Sequence, residues 1–346
     1  MSIEAVEVKR IPLLGKTLEE LKEIVKEERL PALQAGQIAK WLYEKNVTDI
    51  DEMTNISKPA REHLKEKFCV GRYAPTSKTE STDGTKKYLF DAGDKFSVES
   101  VYIPEEDRAT LCISTQKGCK MNCSFCMTGR QGFHGNLSAN QILNQILSIP
   151  ESQKLTNVVF MGMGEPMDNL EEVLKSLDVM TAKWGLAWSP KRITVSSIGK
   201  LKALKDLCEK TSVHVAISVH SPYHEERLNL MPVENAFPIK DVMNLLQNYD
   251  FSHQRRLSIE YIMWEGLNDD LIHAEALAKL IKNLDTRVNL IKFHSIPGSK
   301  LSPTTKEKMG KFRDFLNAHG IICTIRRSRG EDIMAACGML AGSKKN

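Results

Sequence analysis

Three cysteines, Cys119, Cys123 and Cys126, stand in the stretch GCKMNCSFCMTG with C-x₃-C-x₂-C spacing. Thiolates that close together can share one inorganic centre. A structural zinc ion takes four ligands, usually from two C-x₂-C or C-x₂-H pairs, and no second pair lies nearby. Cys112 offers a fourth ligand, but from a strand-like segment rather than the loop. Burial as small hydrophobes is another reading, opposed by the polar neighbours Lys117, Lys120, Asn122 and Ser124. A [4Fe–4S] cluster normally takes four thiolates, one per iron. Three would leave one iron open, and an open position is what a catalytic metal site keeps for its substrate.

Other residues could share that chemistry. Cys337 lies in EDIMAACGML, and Cys112 precedes Cys119 in ATLCISTQKGC. A free cysteine in a strand is often a small buried hydrophobe, which is the alternative for Cys112. Cys69, Cys208 and Cys323 fit no motif and read as structural thiols. Gly162-Met163-Gly164-Glu165-Pro166 is either a tight turn or a seat for an ammonium on the Glu165 carboxylate. Ser196, Ser218, His220 and His294 can donate or accept hydrogen bonds, although a core histidine is the alternative for His220. Glu99 shares a strand face with Val101 and Ile103, a partly apolar setting. Asp94, Glu105 and Glu106 nearby leave a surface-strand reading open.

The elements that must position these groups follow a pattern. Residues 1–75 read as a small helical domain: TLEELKEIV with a Thr17/Glu20 capping box, QAGQIAKWLYEK, and SKPAREHLKEKF with Ser57 as cap and Pro59 in the first turn. Residues 76–108, with turn signals at Asp83-Gly84 and Ala92-Gly93-Asp94, read as a β-meander linker. From residue 109 to 346, strands TLCIST, NVVFMGM, RITVSSIG, VHVAISVHS, RLSIEYIMW, VNLIKFHSI and ICTIRRS alternate with helices. Such alternation means parallel βαβ units. Six units and a closing strand predict an α/β fold, a partial (β/α)₆ barrel, with an open doubly wound sheet as the alternative. Active sites of such folds collect at the C-terminal ends of the strands. The cysteine cluster, Glu165, Ser196, Ser218, His220, His294 and Cys337 all follow strands, so they converge on one rim.

Composition sets bounds. With 346 residues, 41% hydrophobic and 27% charged, the chain suits one large and one smaller globular domain. The net charge of +4 permits an anionic partner without demanding one. No apolar run reaches membrane-spanning length. The opening MSIEAVEVKRIP has no apolar core, so no signal peptide is expected. A cytoplasmic location follows, in which eight cysteines serve metal or thiol chemistry rather than a disulfide framework.

The cysteine motif on a first βα loop, followed by GMGEP after the second strand, resembles the radical S-adenosylmethionine superfamily. That resemblance implies a radical-SAM barrel and a [4Fe–4S] cluster on Cys119, Cys123 and Cys126. The open iron would chelate the amino and carboxylate groups of S-adenosylmethionine, and the reduced cluster would yield a 5′-deoxyadenosyl radical. Gly164, Glu165, Ser196, Ser218, Val219, His220 and His294 would contact that cofactor. Cys112, Cys337 and the segment FCMTGRQGFHGNLSANQI narrow the resemblance to the RlmN-type dual-specificity RNA methyltransferases, over essentially the whole chain. The family implies methylation of adenine C2 in 23S rRNA and tRNA, two S-adenosylmethionine molecules per turnover and a flavodoxin- or ferredoxin-type electron donor. A monomer is expected. Cys337 would carry the methyl group, Glu99 would remove the C2 proton, and Cys112 would resolve the protein–RNA link through a transient Cys112–Cys337 disulfide. The family often has Asn where this chain has His294.

Three alternatives stay open. A Cfr-type relative would use the same cysteines on adenine C8, although RQGF looks more like the C2 enzymes. A glycyl-radical activase would have no use for Cys337. A zinc-bound RNA-binding module would hold no labile sulfide. Arg326, Arg327, Arg329 and lysines of the first domain are candidates for RNA phosphate contact.

Overall fold

The computed structural model describes residues 10–253 and 255–344. The expectation that no signal peptide opens the chain concerns residues 1–12, of which 1–9 lie outside the described residues. Among the described residues no helix is long and apolar enough to cross a membrane.

Contacts divide the chain into two compact units. One gathers the described residues up to Ala74 with Ser138–Ser152 and Glu171–Ser189. Its first helices are α1 (Leu18–Glu27), α2 (Leu33–Tyr43) and α3 (Lys58–Lys67). The Thr17 side chain accepts from the Glu20 amide at 3.2 Å, and Glu20 returns a carboxylate to the Thr17 amide at 2.8 Å. That closed capping box starts α1, and Leu21, Ile24 and Val25 form its buried stripe. Ser57 Oγ caps α3 by accepting from the Ala60 amide at 3.4 Å. The compact unit is wider than residues 1–75 because two later segments bind to it. Asn144 exchanges hydrogen bonds with both backbone groups of Tyr73, at 3.0 and 2.9 Å. Arg72 reaches the Leu147 carbonyl and Ser148 Oγ.

The other unit is built on one large sheet. Its path strands are β1 (Ser77–Glu80), β2 (Lys86–Asp91), β3 (Phe96–Pro104), β4 (Ala109–Cys112), β5 (Asn157–Phe160), β6 (Ile193–Ser197), β7 (His214–Ser218), β8 (Leu257–Met263), β9 (Thr286–Lys292) and β10 (Ile322–Ile325). The spatial order is β10-β9-β8-β7-β6-β5-β4-β3-β2-β1. From β4 to β10 every neighbouring pair is parallel. The parallel strands stay open, as a partial barrel requires, because β10 pairs only with β9 and β4 continues into the meander. The meander strands β3, β2 and β1 extend this sheet antiparallel from β4, and Ser343–Lys344 adds to β3. Fully buried Leu111, Val158, Val195, Val215, Ile259 and Val288 form its apolar centre. Their burial explains why these strands read as near-continuous β-branched runs.

Register matters for chemistry. Val101 on β3 stands opposite both Cys112 and Lys87. Directly opposed residues share a face, so Lys87, Glu99, Val101 and Cys112 lie on one side of the sheet. A short hairpin, Gln116–Gly118 with Phe133–Asn136, brackets the cysteine loop, and a helix at His224–Leu230 follows β7. Neither had a sequence signal strong enough to predict it.

Candidate active site

The cysteine loop is fixed from three sides. Gly118 adopts φ 74°, and a Cβ there would meet the Gly132 carbonyl oxygen at 1.8 Å, so only glycine allows the chain to turn into Cys119. The Cys119 amide then donates to that carbonyl at 2.9 Å. The Ser124 amide donates to the Leu230 carbonyl at 2.9 Å, and the Met127 amide to the Gly338 carbonyl at 2.8 Å. Thr128 Oγ1 also donates to the Leu340 carbonyl at 2.6 Å. The C-terminal loop is therefore stitched to the cysteine loop.

One cavity, with a free volume of about 160 Å³, brings together Cys119, Cys123, Cys126, Gly164, Glu165, Ser196, Ser218, His220 and Cys337. The Cys337–Gly338 turn forms part of its wall. Burial pushes the Cys119 thiol up to about 12, with Glu165 and Cys126 adding, and raises Cys123 well above its ordinary value, with Cys126 and Cys119 adding. A bound cationic metal would favour the ionised form of such buried thiols. Among the described residues no three His, Cys, Asp or Glu side chains gather closely enough to hold a single metal ion. Thiolates on separate corners of a cube stand farther apart, so the donor set fits a cluster better than a zinc ion.

Glu165 is fully enclosed. Its carboxylate accepts from Ser197 Oγ at 2.8 Å and from the amides of Met167 and Ile198 at 3.1 and 3.2 Å. Its own amide donates to Gln116 Oε1 at 2.9 Å. Gly164, at φ 98°, lies so close to Gln116 that a Cβ would meet that side chain at 2.5 Å. Burial raises the Glu165 pKa to about 7 against those hydrogen bonds. A cation arriving in the cavity would reverse that shift. In protein stripped of metal and cofactor, the folded state binds this proton more tightly than the unfolded state, whose reference value is 4.5. The stabilisation is fully present below about pH 4.5 and is lost as pH rises toward 7. Glu165→Gln is expected to remove a pH-dependent contribution on the order of 3 kcal/mol, seen as a flatter stability profile in urea denaturation between those pH values.

The rim after β6 and β7 is held by a buried ion pair. Arg227, fully buried, binds Glu234 and donates to the carbonyls of Val219, Ile198 and Ser218 at 3.1, 3.0 and 3.1 Å. His220 adopts φ 61°, a strained setting for a non-glycine residue. Its Nδ1 accepts from the Ile262 amide at 3.0 Å, which places the ring proton on Nε2. Burial and Arg227 lower its pKa to about 3, so the ring is neutral.

Two expected cofactor contacts, Val219 and His294, are not among the residues that line the cavity. Val219 is buried, and its amide and carbonyl are taken by the Glu260 carbonyl and Arg227. His294 is buried away from the cavity, with Nε2 3.0 Å from Ser328 Oγ and Nδ1 3.1 Å from Glu331.

The remaining thiols sit beside an arginine that sequence reasoning had placed on the RNA side. Arg326 lines the cavity, donates to Glu260 at 3.3 Å and lies near both Cys112 and Cys337. Burial pulls its pKa down, but Glu260 and the two thiols outweigh it, and the guanidinium is held charged. Cys337 is exposed and lines the cavity, and burial of its thiol pushes the pKa up. Burial and then Cys337 raise Cys112 to about 12, with Arg326 opposing. Strand alternation carries Arg326 inward, which the cluster of three arginines within four residues conceals in sequence. Arg329, by contrast, donates to the Asp83 carbonyl at 3.3 Å.

Glu99 is not in a merely apolar setting. Oε1 pairs with Lys87 at 3.0 Å, and Oε2 accepts from the amides of Ala341 and Gly342 at 2.9 and 3.1 Å. It lies outside the cavity lining.

This architecture is that of a radical S-adenosylmethionine enzyme: residues 113–278 match the family model described as the Radical SAM superfamily. Residues 11–70 match the ribosomal RNA large subunit methyltransferase N-terminal domain. The chain is 58% identical to a Bacteroides fragilis protein named "Probable dual-specificity RNA methyltransferase RlmN", over 97% of this chain and 98% of that protein. A Parabacteroides distasonis protein of the same name is 59% identical over 96% and 97%. A Campylobacter hominis dual-specificity RNA methyltransferase RlmN is 40% identical over 95% and 96%. A crystallised radical SAM methyltransferase from Sphaerobacter thermophilus superposes with TM-score 0.89 at 34% identity, covering 95% of this chain and 99% of that one. The chain belongs to the RlmN family of dual-specificity RNA methyltransferases.

Proposed function

We propose that this chain methylates carbon 2 of adenine in 23S rRNA and in tRNA, with Cys337 as the methyl carrier. The observation that carries the reading is that Cys337 opens into the same cavity as the three clustered cysteines. Adenine C2 is an electrophilic carbon without a nucleophilic lone pair, so it cannot attack a methyl sulfonium as an amine would.

Cys119, Cys123 and Cys126 would hold a [4Fe–4S] cluster, and Glu165 would receive the ammonium of S-adenosylmethionine, with Gly164, Ser196, Ser218 and His220 around it. When bound, that pair supplies a reducing electron and an organic radical able to activate a methyl group. Cys337, as thiolate, would displace a methyl group from the sulfonium of one S-adenosylmethionine, whose sulfur leaves as a neutral thioether, and present that carbon to the base. Glu99 takes the C2 proton once the loop at Ala341 and Gly342 releases its carboxylate. Cys112, as thiolate, attacks the Cys337 sulfur and breaks its bond to the methylene carbon. That carbon keeps the electron pair, takes up a proton and leaves as methyladenine, and a disulfide remains. The target adenine must be unstacked to reach the cavity. Residues 11–70 are the natural rRNA-facing segment, given the family model they match. An electron donor of flavodoxin or ferredoxin type, a monomeric state and a cytoplasmic location complete the proposal.

Anaerobic reconstitution with 23S rRNA and tRNA fragments, followed by nucleoside mass spectrometry, tests it. The expected product is 2-methyladenosine in both RNAs, from protein that contains iron and labile sulfide. Finding 8-methyladenosine would move the chain to C8 chemistry, and zinc without sulfide would overturn the radical reading.

A further inference from the structure

The opposite end of the parallel strands encloses a second and larger recess. Its volume, about 680 Å³, falls in the range of small-ligand pockets, roughly 300–1,000 Å³. Its rim is made by the first residues of the strands. Arg108 precedes β4, Lys191 precedes β6, His214 opens β7, Arg256 precedes β8 and Arg287 is second in β9. Parallel register holds these starts side by side, with Thr194 beside His214 and Leu257 beside Thr286. Six Lys and Arg side chains therefore line one concavity: Arg108, Lys191, Arg256 and Arg287, then Arg255, which donates to the Cys208 carbonyl at 2.8 Å, and Arg326.

Among the described residues the first four have no carboxylate partner. Two carboxylates line the recess. Glu260 lies deep within it and is taken by Arg326 at 3.3 Å and Asn289 at 2.8 Å. Asp285 is the other. Among the described residues neither Asp285 nor any other carboxylate forms an ion pair with Arg108, Lys191, Arg256 or Arg287. Arg108 instead donates to the neutral Thr110 Oγ1 at 3.0 Å. The four cations also act on one reporter. Burial, then Arg256, Lys191, Arg287 and Arg108, lower the His214 pKa to about 4. Gathering like charges without counter-charge costs stability, and guanidinium forks match phosphate oxygens.

We propose that this recess binds a phosphate-bearing anion through Arg108, Lys191, Arg256 and Arg287. The phosphate belongs either to a small free polyphosphate or to an RNA backbone. Met161, Glu260 and Arg326 line both this recess and the cysteine cavity, so the Arg326–Glu260 pair stands between them. The proposal does not depend on how the cavity above performs its chemistry.

The test uses the full chain in low-salt, phosphate-free buffer. Calorimetry with inorganic pyrophosphate and with a short single-stranded RNA is run on wild type and on Arg256→Gln/Arg287→Gln. Binding of either probe is expected to weaken by at least about tenfold in the double variant, since it loses two charge-assisted contacts. Weakening for pyrophosphate assigns the site to a free anion, and weakening for RNA alone assigns it to the backbone. Without ligand the double variant should melt at or above the wild-type temperature, because repulsion is relieved. Should it fail to fold, the wild-type His214 imidazole decides: its NMR titration should move upward on adding the probe that binds. Equal affinities in wild type and a well-folded variant, or an unmoved His214, would overturn the proposal.

Discussion

Cys112→Ala is expected to accumulate a covalent protein–RNA adduct. The expectation follows from the order of events that Cys112 and Cys337 permit. Cys337 opens into the cavity where a base must arrive, whereas Cys112 is a half-buried strand residue outside the cavity lining. The exposed thiol is suited to meet RNA, and the recessed one to meet only Cys337. Without Cys112 the chemistry should proceed to the linked state and stop there. A denaturing gel of radiolabelled RNA should show one slowly migrating band that protease digestion removes. Methylated product should fall from multiple turnovers to a few per cent of wild type, since loss of a positioned nucleophile commonly costs about 10²-fold or more. Turnover that stalls without an adduct would place Cys112 before the link forms and reverse the proposed order. Cys337→Ala provides the contrast: no adduct and no product.

Much of this was legible in sequence, for identifiable reasons. The parallel strands are buried on both faces, so they write themselves as apolar runs such as VHVAISVHS, observed as His214–Ser218, and RLSIEYIMW, observed as Leu257–Met263. The turn signals at Asp83-Gly84 and Ala92-Gly93-Asp94 fall between the meander strands because αL positions select those residues. The convergence of the cysteine loop, Glu165, Ser196, Ser218 and His220 follows from the rule that parallel strands deliver their C-terminal ends to one rim. What stayed hidden depends on partners distant in the chain. Nothing local to Glu165 announces Ser197, nothing near Glu99 announces the amides of Ala341 and Gly342, and Glu234 does not reveal that Arg227 ties down the β6 and β7 rims. The helix Ala139–Leu147 reads as an ordinary barrel helix, yet Asn144 and the Leu147 carbonyl bind Tyr73 and Arg72. His294 follows a strand as a rim residue should, but its ring turns to Ser328 and Glu331.

Arg326 gives the second large effect, and pH separates its roles. A thiol held at about 12, as Cys112 is, is almost entirely protonated near neutrality, yet both proposed steps need a thiolate. Arg326 is the cation that opposes this shift at both sulfurs. It can serve them in turn. While Cys337 is free its charge raises Cys112, so the two thiolates are not favoured together. Once Cys337 carries carbon its sulfur is a neutral thioether. That repulsion disappears, and the guanidinium acts on Cys112 alone. Replacing Arg326 should therefore raise both thiol pKa values and move the rising limb of the pH–rate profile to higher pH, with about a tenfold loss of rate per unit at fixed pH below the limb. Arg326→Met by itself would also strand Glu260, which keeps only Asn289 at 2.8 Å and Ser258 at 3.1 Å. Breaking a fully buried pair costs about 3–5 kcal/mol, and this partly exposed one should cost less, so the single variant should melt below wild type. Adding Glu260→Gln removes the unpaired charge and should restore melting without restoring rate. Methylation of Cys337, followed by intact-protein mass across pH 6–10 (roughly two units either side of a thiol's usual value), reads the effect directly. A displaced limb in the stable double variant identifies Arg326 as the residue that positions charge for both sulfurs. A uniform loss at every pH would make it a packing residue instead, and Arg326→Lys, which keeps the charge but loses the fork, should retain most of the wild-type limb.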